Sequence, residues 1–345
     1  MEPLSVAVIG CGNIAATGHL PAYQQAAEAD LCRIVGVCDA DRDRAEALAE
    51  RYGVPSFGTA DELLAATRPQ VVSIATPPWS HRDLALEAFA AGCHVLCEKP
   101  IALSLAEARE MVAASERAGK LLGICFQTRY SPEVRYVRER IRAGDFGHVH
   151  AIRTWGGGER ALPFGPQRHR LETNGRGCLQ HWTIHNLDIA LWLLPDPRPL
   201  TASAFTYQRL ANLPPGWATS AGGRTRPERV DPSIEDFGVG MLRLDGGTVI
   251  TLEANWMAPP SERPTGWQLL ADRAAVGIRP LRVLVDDGRN WVDATPSDVP
   301  STEPGMAPLM ADFLERARDG RPSPISGAEI LRIQGLMDAL YESDR

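Results

Sequence analysis

The residues best equipped for chemistry lie between Gly177 and Leu194, in the run GCLQHWTIHNLDIALWLL. On a helix, at 100° per residue, His181, His185, Asp188 and Trp192 fall within about 60° of one another. Ile184, Leu187, Leu191 and Leu194 form the adjoining apolar arc, and Trp182, Ile189 and Leu193 leave little of the surface for water. Polar groups in such a helix need partners or a purpose, because burying them unpaired is costly. Three readings fit: a face that moves protons, a hydrogen-bonded structural cluster, and a metal site using two histidines one turn apart. The metal reading lacks a third ligand at compatible spacing, so no metal is expected.

A second reactive group stands earlier, in Glu98-Lys99-Pro100, directly after the apolar run His94 to Cys97. If that run is a strand of a parallel sheet, Lys99 emerges at its C-terminal edge. There an ammonium can support a developing alkoxide or polarise a carbonyl. Glu98 would tune that charge or anchor the turn, and at this edge both Glu98 and Lys99 would border the cofactor.

These groups require a sheet, and the N-terminal residues supply its first strands. Ser5 to Ile9 is apolar and leads into Gly10-Cys11-Gly12-Asn13-Ile14-Ala15. Glycines at 10 and 12 allow a tight turn and close approach of a pyrophosphate; Asn13 and Ile14 begin a helix whose N–H groups and dipole favour that anion. Ala15 supplies the small residue needed where helix and strand pack. The next strand, Cys32 to Cys38, ends at Asp39, whose carboxylate would bind the adenosine-ribose hydroxyls and repel a 2′-phosphate. This favours NAD(H) over NADP(H), although the spacing from Gly12 exceeds the usual value of about 20 residues, and Arg42 or Arg44 could modify the preference. The tract Thr76-Pro77-Pro78-Trp79-Ser80-His81 follows the strand Val71 to Ala75 and belongs at the same edge, with Thr76, Pro77 and His81 near the cofactor. Helix capping or turn packing by Trp79 and His81 is the competing reading.

The chain has 345 residues, 44% apolar and 23% charged, enough for two domains with ample cores. A net charge of −7 offers no field for nucleic acid. No signal-like segment or run of 18 apolar residues appears, so a cytoplasmic protein without membrane contact is expected. The seven cysteines lack paired zinc-type spacing and read as small hydrophobes.

Beyond residue 126, a helix from Ser131 to Ala143 precedes a strand near His148 to Trp155. Gly156 to Gly175 reads as a loop in which Arg160, Phe164, Arg168 and His169 could reach a polyhydroxylated ligand. Strand character returns at Leu200 to Gln208. The segment Arg209 to Pro232 reads as a lid, contact loop or disordered excursion, and Asp245-Gly246-Gly247 marks a hairpin. Trp155, Trp256 and Met257 are candidate apolar walls for a ring, with interface packing the alternative for Trp256. Helices near Ala307 to Arg318 and Gly327 to Tyr341 end the chain.

Taken in order, the glycine turn, Asp39, Glu98-Lys99-Pro100 and the 177 to 188 helix resemble the Gfo/Idh/MocA family of oxidoreductases over nearly the whole chain. The resemblance implies α/β architecture: an N-terminal NAD(P)-binding Rossmann domain, 1–125, and a C-terminal α/β domain built on a large, mostly antiparallel sheet, 126–320. A C-terminal helical segment, 321–345, would return to the first domain. It also implies a homodimer or homotetramer and hydride transfer on a sugar, polyol, cyclitol or related ring. Lys99 matches the lysine near the reacting oxygen, His185 the proton-transfer residue, and Asp188 the acid near substrate hydroxyls or the histidine. With His181, Trp155 and Arg168 these form the expected substrate site. The chain departs from the family pattern at His181, often aspartate, and at Thr183, often glycine. An oxidation-elimination-reduction cycle with tightly held NAD, and a nucleotide-dependent sensor, are the alternative functions.

Overall fold

The computed structural model describes residues 2–157, 171–208, 234–256, 266–300 and 305–344. They form two compact units, Met1–Gln127 with Pro304–Gln334, and Thr128–Glu303 with Gly335–Arg345.

In the first unit, apolar runs alternate with helices. The elements are β1 (Leu4–Ile9), α1 (Leu20–Glu28), β2 (Cys32–Cys38), α2 (Arg42–Tyr52), β3 (Ser56–Phe57), α3 (Ala60–Thr67), β4 (Val71–Ile74), α4 (His81–Ala90), β5 (His94–Cys97), α5 (Leu105–Ala118) and β6 (Leu122–Ile124). All strand pairs are parallel, in the order β3-β2-β1-β4-β5-β6. This is the doubly wound dinucleotide-binding order, whose ligand crevice lies beyond the C-terminal ends of the strands where the order reverses, between β1 and β4. Both strands are buried along their full length, as a sheet covered on both faces requires.

The second unit contains α6 (Pro132–Arg142), β7 (Val149–Gly157), α7 (Leu171–Asn174), α8 (Cys178–Leu193), β8 (Pro199–Tyr207), β9 (Phe237–Leu244), β10 (Val249–Asn255), β11 (Gly266–Ala271), β12 (Ala274–Ile278), β13 (Arg282–Asp286) and β14 (Trp291–Asp293). Its strands form an eight-stranded sheet in the order β14-β13-β12-β11-β7-β10-β9-β8. Every neighbouring pair is antiparallel except β7 with β10. Gly246 and Gly247, with φ of 82° and 94°, turn the β9–β10 hairpin where Asp-Gly-Gly predicts it. Alternation sets one face of this sheet: Leu242, Leu252, Ile152 and Leu269 are buried, and α8 packs over β7, β9 and β10.

The last helices are α9 (Ala307–Asp319) and α10 (Gly327–Glu342). They divide differently from the expected 126–320 and 321–345 segments. α9 lies in the first unit, where Phe313 fills the space beside Gly123, and the chain from Gly335 onward belongs to the second. All seven cysteines are buried. No helix among the described residues is long and apolar enough to cross a membrane.

One histidine makes the first unit sensitive to acid. Nδ1 of His94, at the start of β5, accepts the Leu121 N–H at 3.1 Å. Burial, and then the Lys120 charge, push its pKa down to about 4. The unfolded chain therefore binds this proton more tightly, so stability is retained above the ordinary histidine value of about 6.5 and is lost as pH falls toward 4. His94→Asn keeps an acceptor that does not titrate in this range. Urea midpoints at pH 7.5 and 5.0 should fall further for the parent than for the variant; equal losses would remove His94 from the account.

Candidate active site

The glycine turn is built by a close approach. Gly10 has φ +99°, and a Cβ there would lie 2.6 Å from the Ala75 carbonyl oxygen, so the turns after β1 and β4 pack against each other only without a side chain. Gly12 differs, since a Cβ there would meet nothing within 4 Å. The space before it suits a phosphate approaching the backbone, and helical geometry begins at Asn13 and Ile14. Ala15 is fully buried at the helix–sheet contact. Asp39 accepts the Cys11 N–H at 2.7 Å and the Asp41 N–H at 2.9 Å through different oxygens. Each oxygen retains further acceptor capacity, which suits ribose hydroxyls. The residues present thus fit a dinucleotide.

The Thr76 and Lys99 turns are tied together from within. His81 is fully buried, with Nε2 2.9 Å from the Thr76 carbonyl oxygen and Nδ1 2.8 Å from that of Pro100. Burial lowers its pKa, against the carbonyls and Glu98. This corrects the expectation that His81 contacts the cofactor, because a ring enclosed in this way joins two loops instead. Pro77 is exposed and Thr76 half-buried; the Thr76 hydroxyl accepts from Ser80 at 2.7 Å. Lys99 is half-buried at the end of β5 and joined to Pro100 by a cis peptide bond.

Glu98 is buried as well, so its carboxylate supports the turn and is not a ligand surface. Oε2 accepts the Lys99 N–H at 3.1 Å, and Oε1 lies 2.9 Å from Nε2 of His19. His19, Glu98 and Cys125 each place one potential ligand atom within 4.8 Å of the others. Each carboxylate oxygen of Glu98 accepts a hydrogen bond in this cluster. His19 was not foreseen. Its only signal in the sequence is a histidine inside an otherwise apolar helical run.

In the second unit, the expected histidine helix is α8. His181, Trp182, His185 and Trp192 are its half-buried residues, and its other side chains are buried. His181 stands beside two indoles, with ring centroids 6.2 Å from Trp182 and 6.3 Å from Trp256. Trp256 is therefore a neighbour of the histidine face. Thr183 is fully buried, and its hydroxyl donates back to the Leu179 carbonyl, which accommodates a residue unlike the expected glycine.

Asp188 sits deeper than the histidines, 1% exposed, and Arg129 grips it through Nε at 3.1 and 3.0 Å and through Nη2 at 2.5 Å. Of the two expected settings for this acid, near substrate hydroxyls or near the histidine, burial in the ion pair withdraws the first, and the pair fixes the helix that carries His185. Arg129 belongs to the 3-10 turn Gln127–Tyr130, and nothing in the sequence distinguishes it from many other arginines. A buried carboxylate also holds the start of α8. Glu235 accepts the Gly177 N–H at 2.9 Å, the Leu179 N–H at 3.1 Å and the Tyr341 hydroxyl at 2.5 Å. Burial pushes the Glu235 carboxyl up, and these donors push it back. Glu235 and Tyr341 are the other residues that sequence reasoning missed.

Trp155 does not join this cluster. Thr154, its neighbour on β7, shares the α8 side with Leu252 and Trp267, and the Trp267 indole donates to Asn186 of α8 at 2.6 Å. Strand alternation puts Trp155 on the opposite face, where its ring lies over Gly266 and leaves no room for a Cβ there. The apolar wall expected from Trp155 is therefore withdrawn. Arg168, Arg160, Phe164, His169 and Met257 lie outside the described residues, as do most of the two expected loops.

Two family models match in succession. Residues 4–126 match an oxidoreductase family with an NAD-binding Rossmann fold, and residues 134–276 match the GFO/IDH/MocA C-terminal domain. An inositol 2-dehydrogenase of Rubrobacter xylanophilus is 32% identical over 81% of this chain and 72% of its own. The chain belongs to the Gfo/Idh/MocA family of oxidoreductases. A D-glucoside 3-dehydrogenase of Escherichia coli is 29% identical across 99% of this chain and 95% of its own length. The fold is shared with levoglucosan dehydrogenase solved with NADH and L-sorbose, at TM-score 0.84 and 20% identity, covering 100% and 97% of the two chains.

The Arg129–Asp188 pair yields a direct test. Removing one partner of a buried pair typically costs about 3–5 kcal/mol, because the other charge stays behind in a dry environment. Arg129→Met should lose stability of that order in urea unfolding, and adding Asp188→Leu should recover part of it. A single-variant loss below about 1 kcal/mol, the value of an exposed pair, would show that the pair does not fix α8.

Proposed function

We propose that this chain is an NAD(H)-dependent oxidoreductase that interconverts a secondary alcohol and a ketone on a sugar, polyol, cyclitol or related ring. The observation that carries the reading is the placement of Lys99. It stands at the C-terminal end of β5, on a turn that His81 ties to Thr76, whose own side chain packs beside Gly10. The nucleotide turn and a cation suited to an oxygen are thus parts of one sheet edge. The D-glucoside and inositol dehydrogenases among the relatives, and a neighbour solved with NADH, support the substrate class and the cofactor. Asp39 supports NAD(H) over NADP(H), because a carboxylate at the ribose repels a 2′-phosphate.

When bound, the nicotinamide supplies hydride acceptance or donation. The protein supplies charge and proton management. Lys99 stabilises negative charge on the substrate oxygen, and His185 takes the hydroxyl proton in oxidation and returns it in reduction. His181, held between Trp182 and Trp256, assists the proton path or binds substrate. Asp188, clasped by Arg129, fixes the helix turn that carries His185.

The reading is tested with methyl β-D-glucopyranoside, myo-inositol and 1,5-anhydro-D-glucitol as probes, following NADH formation. Lys99→Ala should bind NADH within about twofold of the parent and lose about 100-fold or more in kcat, as removal of an electrostatic stabiliser does. A Lys99→Ala variant with parental hydride transfer would sink the assignment. Product without net NADH would favour a cycle that keeps the cofactor bound.

We also propose that a second copy of the chain covers the outer face of the second sheet, as part of a homodimer or homotetramer. Phe205 is 80% exposed and pairs in register with the exposed Val239; Met241 and Tyr207 continue the apolar row. Contiguous apolar surface of this kind marks association sites. Phe205→Glu combined with Met241→Glu should reduce the sedimentation coefficient to that of a monomer. A parent chain already monomeric at micromolar concentration would refute the proposal.

A further inference from the structure

A chain of hydrogen bonds runs behind the Lys99 turn, buried from Ser73 to Glu98. The Ser73 hydroxyl on β4 lies 2.8 Å from Nδ1 of His19; Nε2 of His19 lies 2.9 Å from Oε1 of Glu98; Oε2 of Glu98 accepts the backbone N–H of Lys99 at 3.1 Å. His19 and Ser73 are fully buried and Glu98 is 5% exposed. His19 closes a π-helical turn, Ala15–His19, that leads into α1. A π turn carries one residue more than an α turn, so it rotates the side chains that follow by about 100° relative to an unbroken α-helix. The turn directs this ring at the ends of β4 and β5.

We propose that His19 is the positioning residue for Lys99, acting through the Glu98 carboxylate to hold the backbone from which the lysine side chain projects. The inference rests on the reading of Lys99 as the group beside the reacting oxygen. A buried carboxylate must be supplied with donors or it will acquire others. Here the donors include the His19 ring, the Lys99 N–H and the Cys125 thiol, which burial and the nearby Glu98 keep protonated. Without the His19 donor, Glu98 would compete for the ammonium of Lys99, one residue along, and draw it from the substrate oxygen. Among the described residues, the Cys97 thiol and the His81 ring also feel the Glu98 charge. Neither replaces the lost donor: burial keeps the Cys97 thiol protonated, and both His81 nitrogens face backbone carbonyls.

The experiment uses a property of the sequence. The chain contains only two lysines, Lys99 and Lys120. Lys120→Arg leaves Lys99 as the sole ε-amine, and reductive 13C-methylation then gives it one NMR signal apart from the N-terminus. In that background His19→Gln keeps a donor near the position of Nε2, toward Glu98, whereas the shorter His19→Asn keeps a polar group only near Nδ1, toward the Ser73 hydroxyl, and none toward Glu98. The Gln variant should leave the Lys99 signal near its parental position. The Asn variant should shift it and lower kcat with methyl β-D-glucopyranoside about 10- to 100-fold, the cost of a small misplacement, with NADH affinity retained. Equal Lys99 signals in the two variants, with activity following only thermal stability, would overturn the proposal. If His19→Asn does not fold, Glu98→Gln takes its place with the same expectation. A shifted Lys99 signal alongside full activity of Lys99→Ala would sustain the positioning and refute only the catalytic reading.

Discussion

A carboxylate taken out of water must be met by donors, and three such groups organise what this protein presents to its ligands. Glu98, Asp188 and Glu235 are each at most 5% exposed. Each is held by groups distant in sequence: His19 for Glu98, Arg129 for Asp188, and the Gly177 and Leu179 N–H groups with Tyr341 for Glu235. The desolvation cost is met only when all the donors are in place, so each cluster has one low-energy geometry. The side chains proposed to do chemistry are attached next to these fixed points: Lys99 follows Glu98, and His185 lies one helical turn before Asp188.

The same economy appears in the histidines. The fully buried and the half-buried ones differ in setting. His19 and His81 are fully buried and tie loops in the first unit; His181 and His185 remain half-buried on α8. An imidazole is small, planar and polar at two points, which suits it both to bridging two polar groups in a core and to exchanging a proton at a surface. Exposure separates the two pairs here, and exposure is a property of packing.

The sheet of the second unit works in a comparable way. Its inner face receives α8 through alternate residues of β7, β9, β10 and β11, and Asn186 to Trp267 adds a polar tie inside an apolar contact. Its outer face keeps Phe205, Met241 and Trp155. Because successive side chains on a strand point to opposite faces, Thr154 and Trp155 belong to different surfaces although they are adjacent in the chain.

By itself the sequence determined the local features that depend on spacing. The apolar runs and the Gly10 and Gly12 turn mark β1 and the nucleotide edge, Asp-Gly-Gly marks the β9–β10 hairpin, and the run from Gly177 to Leu194 marks a helix with two histidines on one stripe. Such features follow from steric freedom and period, which act over a few residues. Tertiary structure alone decided which polar residues are partners. Nothing near Asp188 in the sequence identifies Arg129, 59 residues away. Nothing near Lys99 identifies His19, and His81 and Trp155 change role once their enclosure and face are known. The reason is that hydrogen bonding inside a core is set by which groups share a desolvated space, and that space is formed by segments far apart along the chain.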